Sequence, residues 1–184
     1  MTNILISSIV ISVILTILFY YKFHFMVLVF HNMYNISHKF ICDSQNEVIK
    51  NLWIGDHYSS LNINFINNMN IKLIINCTKN LKFTHLEKVI KYRIPLDDDR
   101  SENSNKIMLA YFNRYYSIVD RYLNNNQGVL VHCHSGCQRS ATFICLYLMK
   151  RFGYTFPETK KKIRSKRFLA MFPNVNFYNL LNNV

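Results

Sequence analysis

The 184-residue sequence predicts an α/β fold, with a central, mostly parallel sheet flanked by helices and preceded by an N-terminal hydrophobic helix. Residues 71–77 and 129–131 are short apolar runs bounded by turn residues, which is typical of buried strands. Between them, apolar residues recur at helical spacing over residues 105–124. Strands that alternate with helices in this way favour a parallel sheet.

The remaining elements follow from local patterns. Val48–Ile54 alternates loosely between apolar and polar residues and predicts the first strand, and residues 59–70 predict a short helix. Tyr92–Leu96 predicts a strand that ends at three aspartates, Asp97–Asp99. A last helix is expected over Pro157–Arg167.

The N-terminus differs in character from the rest of the chain. Ile4–Tyr21 contains 18 residues without a charge, which is long enough for a helix that spans a membrane. No basic residue precedes this stretch and no small-residue cleavage site follows it, which disfavours a signal peptide; a buried core helix is the other alternative. Because Lys22 and Lys39 follow the stretch, the positive-inside rule predicts a single-pass protein with a cytoplasmic C-terminal part. We therefore expect an anchor at 1–30, a linker at 31–46 and a catalytic domain at 47–184.

Charge and cysteine content limit the function classes. The five cysteines are odd in number and include no CxxC pair, which argues against a disulfide framework and against a zinc site. The net charge is +12, with much of it in Lys160–Arg167, which predicts mainly a solvated helix face. A positive surface also favours phosphorylated substrates or an anionic membrane, whereas no nucleic-acid motif accompanies it.

One segment carries most of the chemistry. His132–Ser140 places Cys133 directly after an apolar strand and Arg139 at the start of a helical run. The backbone N–H groups of such a loop and the positive end of the helix favour a phosphate and a thiolate. A planar guanidinium can bind two phosphoryl oxygens, Gly136 allows positive φ, and Ser140 can donate a hydrogen bond to the sulfur.

This segment fits the HCxxGxxRS pattern and resembles the phosphate loop of the cysteine-dependent protein tyrosine phosphatase superfamily. Over residues 47–184 the chain resembles the dual-specificity branch of that superfamily. The segments that carry this wider resemblance are Asn51–Gly55, Ile71–Thr78, Ile94–Asp98, Ala141–Arg151 and Pro173–Phe177.

The resemblance implies a reaction and a role for each site residue. Cys133 would attack phosphorus and form a phosphocysteine, Asp98 would be the general acid and then the base, and Ser140 would assist departure of the sulfur. Asp97 and Asp99 are less favoured substitutes for Asp98. No metal or cofactor is required. The phosphoryl oxygens would be held by the loop residues His134, Ser135, Gly136, Cys137, Gln138 and Arg139.

Three further residues are expected to support this site. His132 would be a structural hydrogen-bonding residue below the loop, and Asn174 would brace the loop. Cys77, at the end of a neighbouring strand, is either a packed core residue or the partner of Cys133 in a reversible disulfide.

The leading hypothesis is a dual-specificity protein phosphatase that acts on phosphotyrosine and phosphoserine/threonine in proteins and is held to a membrane by its N-terminal segment. The alternatives are a phosphoinositide or other phospholipid phosphatase, an RNA 5′-phosphatase, and a phospho-binding pseudophosphatase. The loop contains no lysine for extra lipid phosphates and ends in Arg139-Ser140 rather than Arg-Thr, which disfavours the first two alternatives. Retention of Cys133, Arg139 and Asp98 together disfavours the third.

Overall fold

The computed structural model describes residues 19–22, 24–26 and 43–184, and the chain divides into two compact units, Met1–Ile41 and Cys42–Val184. In the first unit, residues 19–22 and 24–26 are helical. Most of the hydrophobic helix predicted within residues 1–30 lies outside the described residues. In the part of the chain that is described, no helix is both long enough and apolar enough to cross a membrane.

The second unit has the predicted α/β architecture, built on a five-stranded sheet with the strand order β1-β2-β5-β3-β4. Its elements are β1 (Gln45–Ile49), β2 (Leu52–Gly55), a 3-10 turn (Ser59–Leu61), α1 (Ile63–Asn68), β3 (Ile71–Asn76), β4 (Ile90–Arg93), α2 (Glu102–Asn124), β5 (Gly128–His132), α3 (Arg139–Phe152), α4 (Phe156–Lys166) and α5 (Tyr178–Asn182). Strand β1 pairs with β2 in antiparallel orientation, and the other three strand pairs are parallel. The sheet is therefore mixed, with a single antiparallel strand at one edge of it.

The prediction of a single strand over Val48–Ile54 is wrong, because this segment contains the end of β1, a two-residue turn and most of β2. Asn51 has φ 66° there, in the left-handed region that asparagine tolerates better than most residues. Strand β1 begins at Gln45, so the last residues of the expected linker at 31–46 belong to the sheet. Strand β4 ends at Arg93, two residues before Pro95, which has no N–H group to continue the ladder.

Helices cover both faces of the sheet. Phe65 and Ile66 of α1 pack with Leu130 on one face, whereas α2 to α5 form the larger core on the other face. Strand β5 lies between β2 and β3, and all five of its residues are buried. This explains why its sequence is a continuous apolar run rather than an alternating one.

The parallel strands fix the position of the functional residues. The carboxyl ends of β3, β4 and β5 lie at the same edge of the sheet, and residues 77, 94–99 and 133 follow them directly. Loops that follow parallel strands at their carboxyl ends are the usual place for a binding site in this class of fold.

Candidate active site

The phosphate loop, Cys133–Arg139, connects the central strand β5 to helix α3. Its first residue is fully buried, and the Cys133 sulfur accepts hydrogen bonds from the Gly136 N–H at 3.2 Å and the Ser140 hydroxyl at 3.4 Å. Helix α3 begins at Arg139, so the positive end of its dipole lies at the loop. Negative charge on this sulfur, whether as nucleophile or as leaving group, is therefore stabilised by donors that are already in place.

Gly136 cannot be replaced by a larger residue without strain. Its φ is +70°, and a Cβ atom at this position would lie 2.7 Å from the Gly55 carbonyl oxygen and 2.8 Å from the Arg167 guanidinium. The loop thus needs a glycine both for its backbone conformation and for its close contact with β2.

Arg139 and Asp98 lie together at the rim of the loop. The Arg139 Nε is 3.4 Å from Asp98 Oδ2, and the two side chains are 12% and 30% exposed. This distance and alignment make an ion pair rather than a hydrogen bond, and the buried Arg139 Nε has no hydrogen-bond partner in the described part of the chain. The guanidinium therefore retains donors for an anion such as a phosphoryl group.

The other two aspartates of the acidic turn are engaged elsewhere. Asp97 forms an exposed ion pair with Lys79. Asp99 accepts hydrogen bonds from the Ser101 hydroxyl and N–H at 2.9 and 3.2 Å. Hydrogen bonds from Ser104 and Ser101 hold the pKa of the Asp99 carboxyl below its ordinary value. Among the three, Asp98 is the aspartate that contacts Arg139, which is the position expected for the general acid.

Arg167 supports the loop from below, a role that the sequence pattern did not predict. The residue was expected on a solvated helix face, but it follows the last residue of α4 and is 1% exposed. Its guanidinium donates to the carbonyl oxygens of Gly136 at 2.9 Å, Ser135 at 2.8 Å and Asp43 at 2.7 Å. Two of these bonds pair carbonyl groups of the loop, and the third ties Arg167 to the residues that precede β1.

The prediction that Asn174 braces the loop needs correction. Its backbone carbonyl, rather than its side chain, makes the contact: it accepts a hydrogen bond from Gln138 Nε2 at 2.7 Å. The same amide group donates to the Phe172 carbonyl at 3.3 Å, and Gln138 Oε1 accepts from the Asn176 N–H at 3.2 Å. The brace is therefore the side chain of Gln138, a loop residue that was expected to act through its backbone.

His134 is exposed at the mouth of the loop, and Cys137 is buried, with its carbonyl accepting from the Met171 N–H at 2.7 Å. A cleft of about 210 Å³ beside the loop is lined by His134 and Arg139 together with Lys79 and Leu96. Across residues 19–22, 24–26 and 43–184, no three His, Cys, Asp or Glu side chains are grouped so that they could hold a metal ion.

His132 and Cys77 are buried beneath the loop. The His132 Nδ1 is 3.4 Å from the Cys133 carbonyl oxygen, and burial lowers the pKa of this imidazole to about 4, so the ring is neutral near pH 7. The Cys77 N–H donates to the His132 carbonyl at 2.8 Å. Burial first, and then the charge of Cys133, raise the pKa of the Cys77 thiol well above its ordinary value. A disulfide between Cys77 and Cys133 stays a prediction.

Comparison with known proteins identifies the family. Residues 52–184 match the family model described as "Dual specificity phosphatase, catalytic domain". The chain is 32% identical over 136 residues to "Dual specificity protein phosphatase 1B" of Arabidopsis thaliana, covering 74% of this chain and 78% of the relative. It is 30% identical over 133 residues to human "Dual specificity protein phosphatase 9", covering 71% of this chain but 33% of the relative. The chain thus spans most of the plant protein and about a third of the human one.

Solved structures show the same fold. Human DUSP28 matches with a TM-score of 0.68 and 21% identity, covering 76% of this chain and 90% of that chain. OH1 from the Orf virus, described as a tyrosine phosphatase, matches with a TM-score of 0.60 and 24% identity, covering 76% of this chain and 84% of that chain. Taken with the loop geometry, the family model and the sequence relatives establish that the chain belongs to the dual specificity phosphatase family and is a protein tyrosine/serine/threonine phosphatase.

Proposed function

We propose that Cys133, Arg139, Asp98 and Ser140 carry out the hydrolysis of phosphotyrosine and of phosphoserine/threonine in protein substrates. The observation that carries the assignment is the arrangement around one sulfur. The buried Cys133 sulfur accepts two hydrogen bonds, while Arg139 and Asp98 lie as an ion pair at the rim of the same loop. A nucleophile (Cys133), a residue that can donate two hydrogen bonds to a phosphoryl group (Arg139) and an acid (Asp98) therefore lie at the same loop.

In the first step the Cys133 thiolate attacks phosphorus in line with the ester oxygen, and the sulfur–phosphorus bond forms as the phosphorus–oxygen bond breaks. The loop N–H groups and Arg139 bind the phosphoryl oxygens as their charge redistributes. Asp98 gives its proton to the departing oxygen, so that an alcohol or a phenol leaves rather than its anion.

In the second step water attacks the phosphocysteine. The Asp98 carboxylate takes a proton from this water, the sulfur–phosphorus bond breaks and inorganic phosphate is released. The Ser140 hydroxyl, 3.4 Å from the sulfur, donates a hydrogen bond to the thiolate as it leaves. Since the two steps use Asp98 first as an acid and then as a base, its replacement slows both.

Phosphate release by the full-length chain tests this assignment. The substrates are a phosphotyrosine peptide, a phosphothreonine peptide and a short-chain phosphoinositide. We expect release from both peptides, loss of release in Cys133→Ser, and a decrease of about 10²- to 10⁴-fold in Asp98→Asn. Release from the phosphoinositide alone would reassign the protein to phospholipids. Binding of phosphopeptide without release would instead indicate a pseudophosphatase.

We further propose that residues 4–21 anchor the catalytic domain to a membrane and leave it in the cytoplasm. The support is the uncharged length of this segment and the lysines that follow it. After extraction of cell membranes with alkaline carbonate, the full-length chain is expected to remain in the membrane pellet. A chain whose Ile9, Ile11 and Leu15 are changed to Asp is expected in the supernatant. Recovery of the unmodified chain in the supernatant would contradict the anchor.

A further inference from the structure

The general acid lies on an exposed loop, so its orientation depends on side chains from other segments. Among the residues that the structure describes, each carboxylate oxygen of Asp98 has one polar side chain beside it. Asp98 Oδ2 is 3.4 Å from the Arg139 Nε, and Asp98 Oδ1 accepts a hydrogen bond from Asn176 Nδ2 at 2.9 Å. The Asn176 amide also lies 3.5 Å from the backbone carbonyl of Asp98. Since a carboxylate can only accept, the nitrogen of the Asn176 amide is the atom that faces Asp98.

Asn176 is itself tied to the phosphate loop. Its backbone N–H donates to Gln138 Oε1 at 3.2 Å, and Gln138 is 8% exposed. The other end of this glutamine amide donates to the carbonyls of Phe172 and Asn174 at 3.3 and 2.7 Å. One loop side chain therefore makes three hydrogen bonds to the backbone of residues 172–176, which fixes that segment against the loop that holds Cys133.

We propose that Asn176 and Gln138 are positioning residues for the general acid, with Asn176 acting on Asp98 and Gln138 acting through Asn176. The proposal rests on the proposed function of Asp98. Asn176 occupies Oδ1 as an acceptor, so that once the phosphoryl group takes the Arg139 guanidinium as its partner, the transferable proton of Asp98 is on Oδ2. Asp98 Oδ2 is the oxygen nearer to Arg139, the residue that binds the phosphoryl group, so the proton is held on the substrate side of the carboxyl group.

This arrangement also links the acid to the nucleophile. Cys133 and Gln138 belong to the same loop, and the chain of contacts from Gln138 to Asn176 to Asp98 sets the distance between the loop and the acid. A carboxyl group held in this way is already oriented for proton transfer. This orientation matters most when the leaving group is poor, because such a group must be protonated as it departs. The proposal therefore predicts an effect that depends on the leaving group.

The test compares kcat/KM for two substrates of the full-length chain, because kcat/KM reports the step in which the leaving group departs and excludes the later hydrolysis of the phosphocysteine. The leaving group of p-nitrophenyl phosphate departs readily without a proton, whereas that of phenyl phosphate needs one. We expect Asn176→Ala to lower kcat/KM about tenfold with phenyl phosphate and less than about threefold with p-nitrophenyl phosphate, which is a part of what a general acid supplies. Gln138→Ala is expected to change kcat/KM in the same direction. The matched control is Asn179→Ala, an exposed residue of α5 that does not contact Asp98.

Two further variants separate positioning from packing. Asn176→Asp keeps the shape of the side chain but replaces the donor by a second carboxylate, so we expect it to be at least as impaired as Asn176→Ala. In an Asp98→Asn background, Asn176→Ala is expected to add no further dependence on the leaving group, because the residue that it positions is absent.

Equal loss of kcat/KM with both substrates, or full activity in Asn176→Asp, would overturn the positioning role. A further leaving-group dependence in the Asp98→Asn background would overturn it as well. If Asp98→Asn itself shows no leaving-group dependence, the role of Asp98 fails and the proposed mechanism fails with it. If the loss in Asp98→Asn depends on the leaving group but the loss in Asn176→Ala does not, the positioning role is refuted and the role of Asp98 stands.

Discussion

The phosphate loop and the acid loop, Asp97–Asp99, meet at the same edge of the sheet but are held in different ways. The phosphate loop is mostly buried, and its shape is maintained by hydrogen bonds between its backbone and four residues outside it, which are Gly55, His57, Arg167 and Met171. The acid loop is exposed, and Asp98 is held by side-chain contacts with Arg139 and Asn176. Changes near the phosphate loop should therefore affect folding and activity together, whereas changes near the acid loop should affect activity alone.

The largest expected effect on the buried side comes from Arg167→Met. The change removes the guanidinium that donates to the carbonyls of Gly136, Ser135 and Asp43. Because each unpaired buried carbonyl costs about 1–3 kcal/mol, we expect the free energy of unfolding to fall by about 3 kcal/mol or more. Urea denaturation and kcat with p-nitrophenyl phosphate measure the two consequences. Lys166→Met, at the exposed neighbouring position, is the control and should change neither.

A change of pH should also destabilise the fold through His132, which is buried beneath the phosphate loop. Its pKa is lowered to about 4 in the folded state and is about 6.5 when unfolded, so the unfolded chain binds more protons between these values. The part of the free energy of unfolding that depends on neutral His132 is fully present above pH 6.5 and is lost as the pH falls toward 4. We expect a loss of unfolding free energy on the order of 3 kcal/mol across this interval. In His132→Gln, denaturation curves over the same interval should show a weaker dependence on pH; an unchanged dependence would contradict the assignment.

Two glycines with nearly the same φ provide a sharper comparison. Gly136 has φ +70° and is enclosed, whereas Gly153, at the end of α3, has φ +68° and nothing within 4 Å of an added Cβ. An alanine in this conformation costs about 1–2 kcal/mol at either position. We expect Gly153→Ala to lose only this stability and to keep its kcat. Gly136→Ala should lose more stability and most of its kcat, because the loop must move away from Gly55.

The smallest effect is expected on the exposed side, for Lys79→Ala. Lys79 and Asp97 form an ion pair in which the side chains are 48% and 58% exposed. Exposed pairs of this kind contribute about 0.2–1 kcal/mol, so the urea midpoint should change little and the change should shrink further in high salt. A loss as large as that expected for Arg167→Met would mean that the acid loop is part of the folding unit after all.

Much of this arrangement could be predicted from the sequence, because it depends on local patterns. The strand, loop and helix around Cys133 follow from an apolar run, a glycine and a second apolar run. The position of Asp98 beside Arg139 follows from the parallel strands that precede both. These patterns locate the ends of the strands in the sequence. Because the carboxyl ends of parallel strands lie at one edge of the sheet, the residues that follow them are close together in the fold.

Arg167 was missed because it belongs to a run of lysines and arginines that resembles a solvated surface. A signal was nevertheless present. Phe156, Thr159 and Ile163 form the buried side of α4, and Arg167 follows Ile163 by four residues on the same side. The bonds made by Gln138 could not be predicted in this way, since their partners lie 34–38 residues away in an irregular segment.

The contact between Arg167 and Asp43 joins residues that are 124 positions apart in the chain. Contacts of such long range require most of the intervening chain to be in place first, and they are characteristic of slow steps in folding. The sheet and its helices can form while the underside of the phosphate loop still lacks its guanidinium. During refolding, the return of catalytic activity should therefore lag behind the return of secondary structure, so that a newly made chain becomes an enzyme only when Arg167 has reached the segment around Asp43.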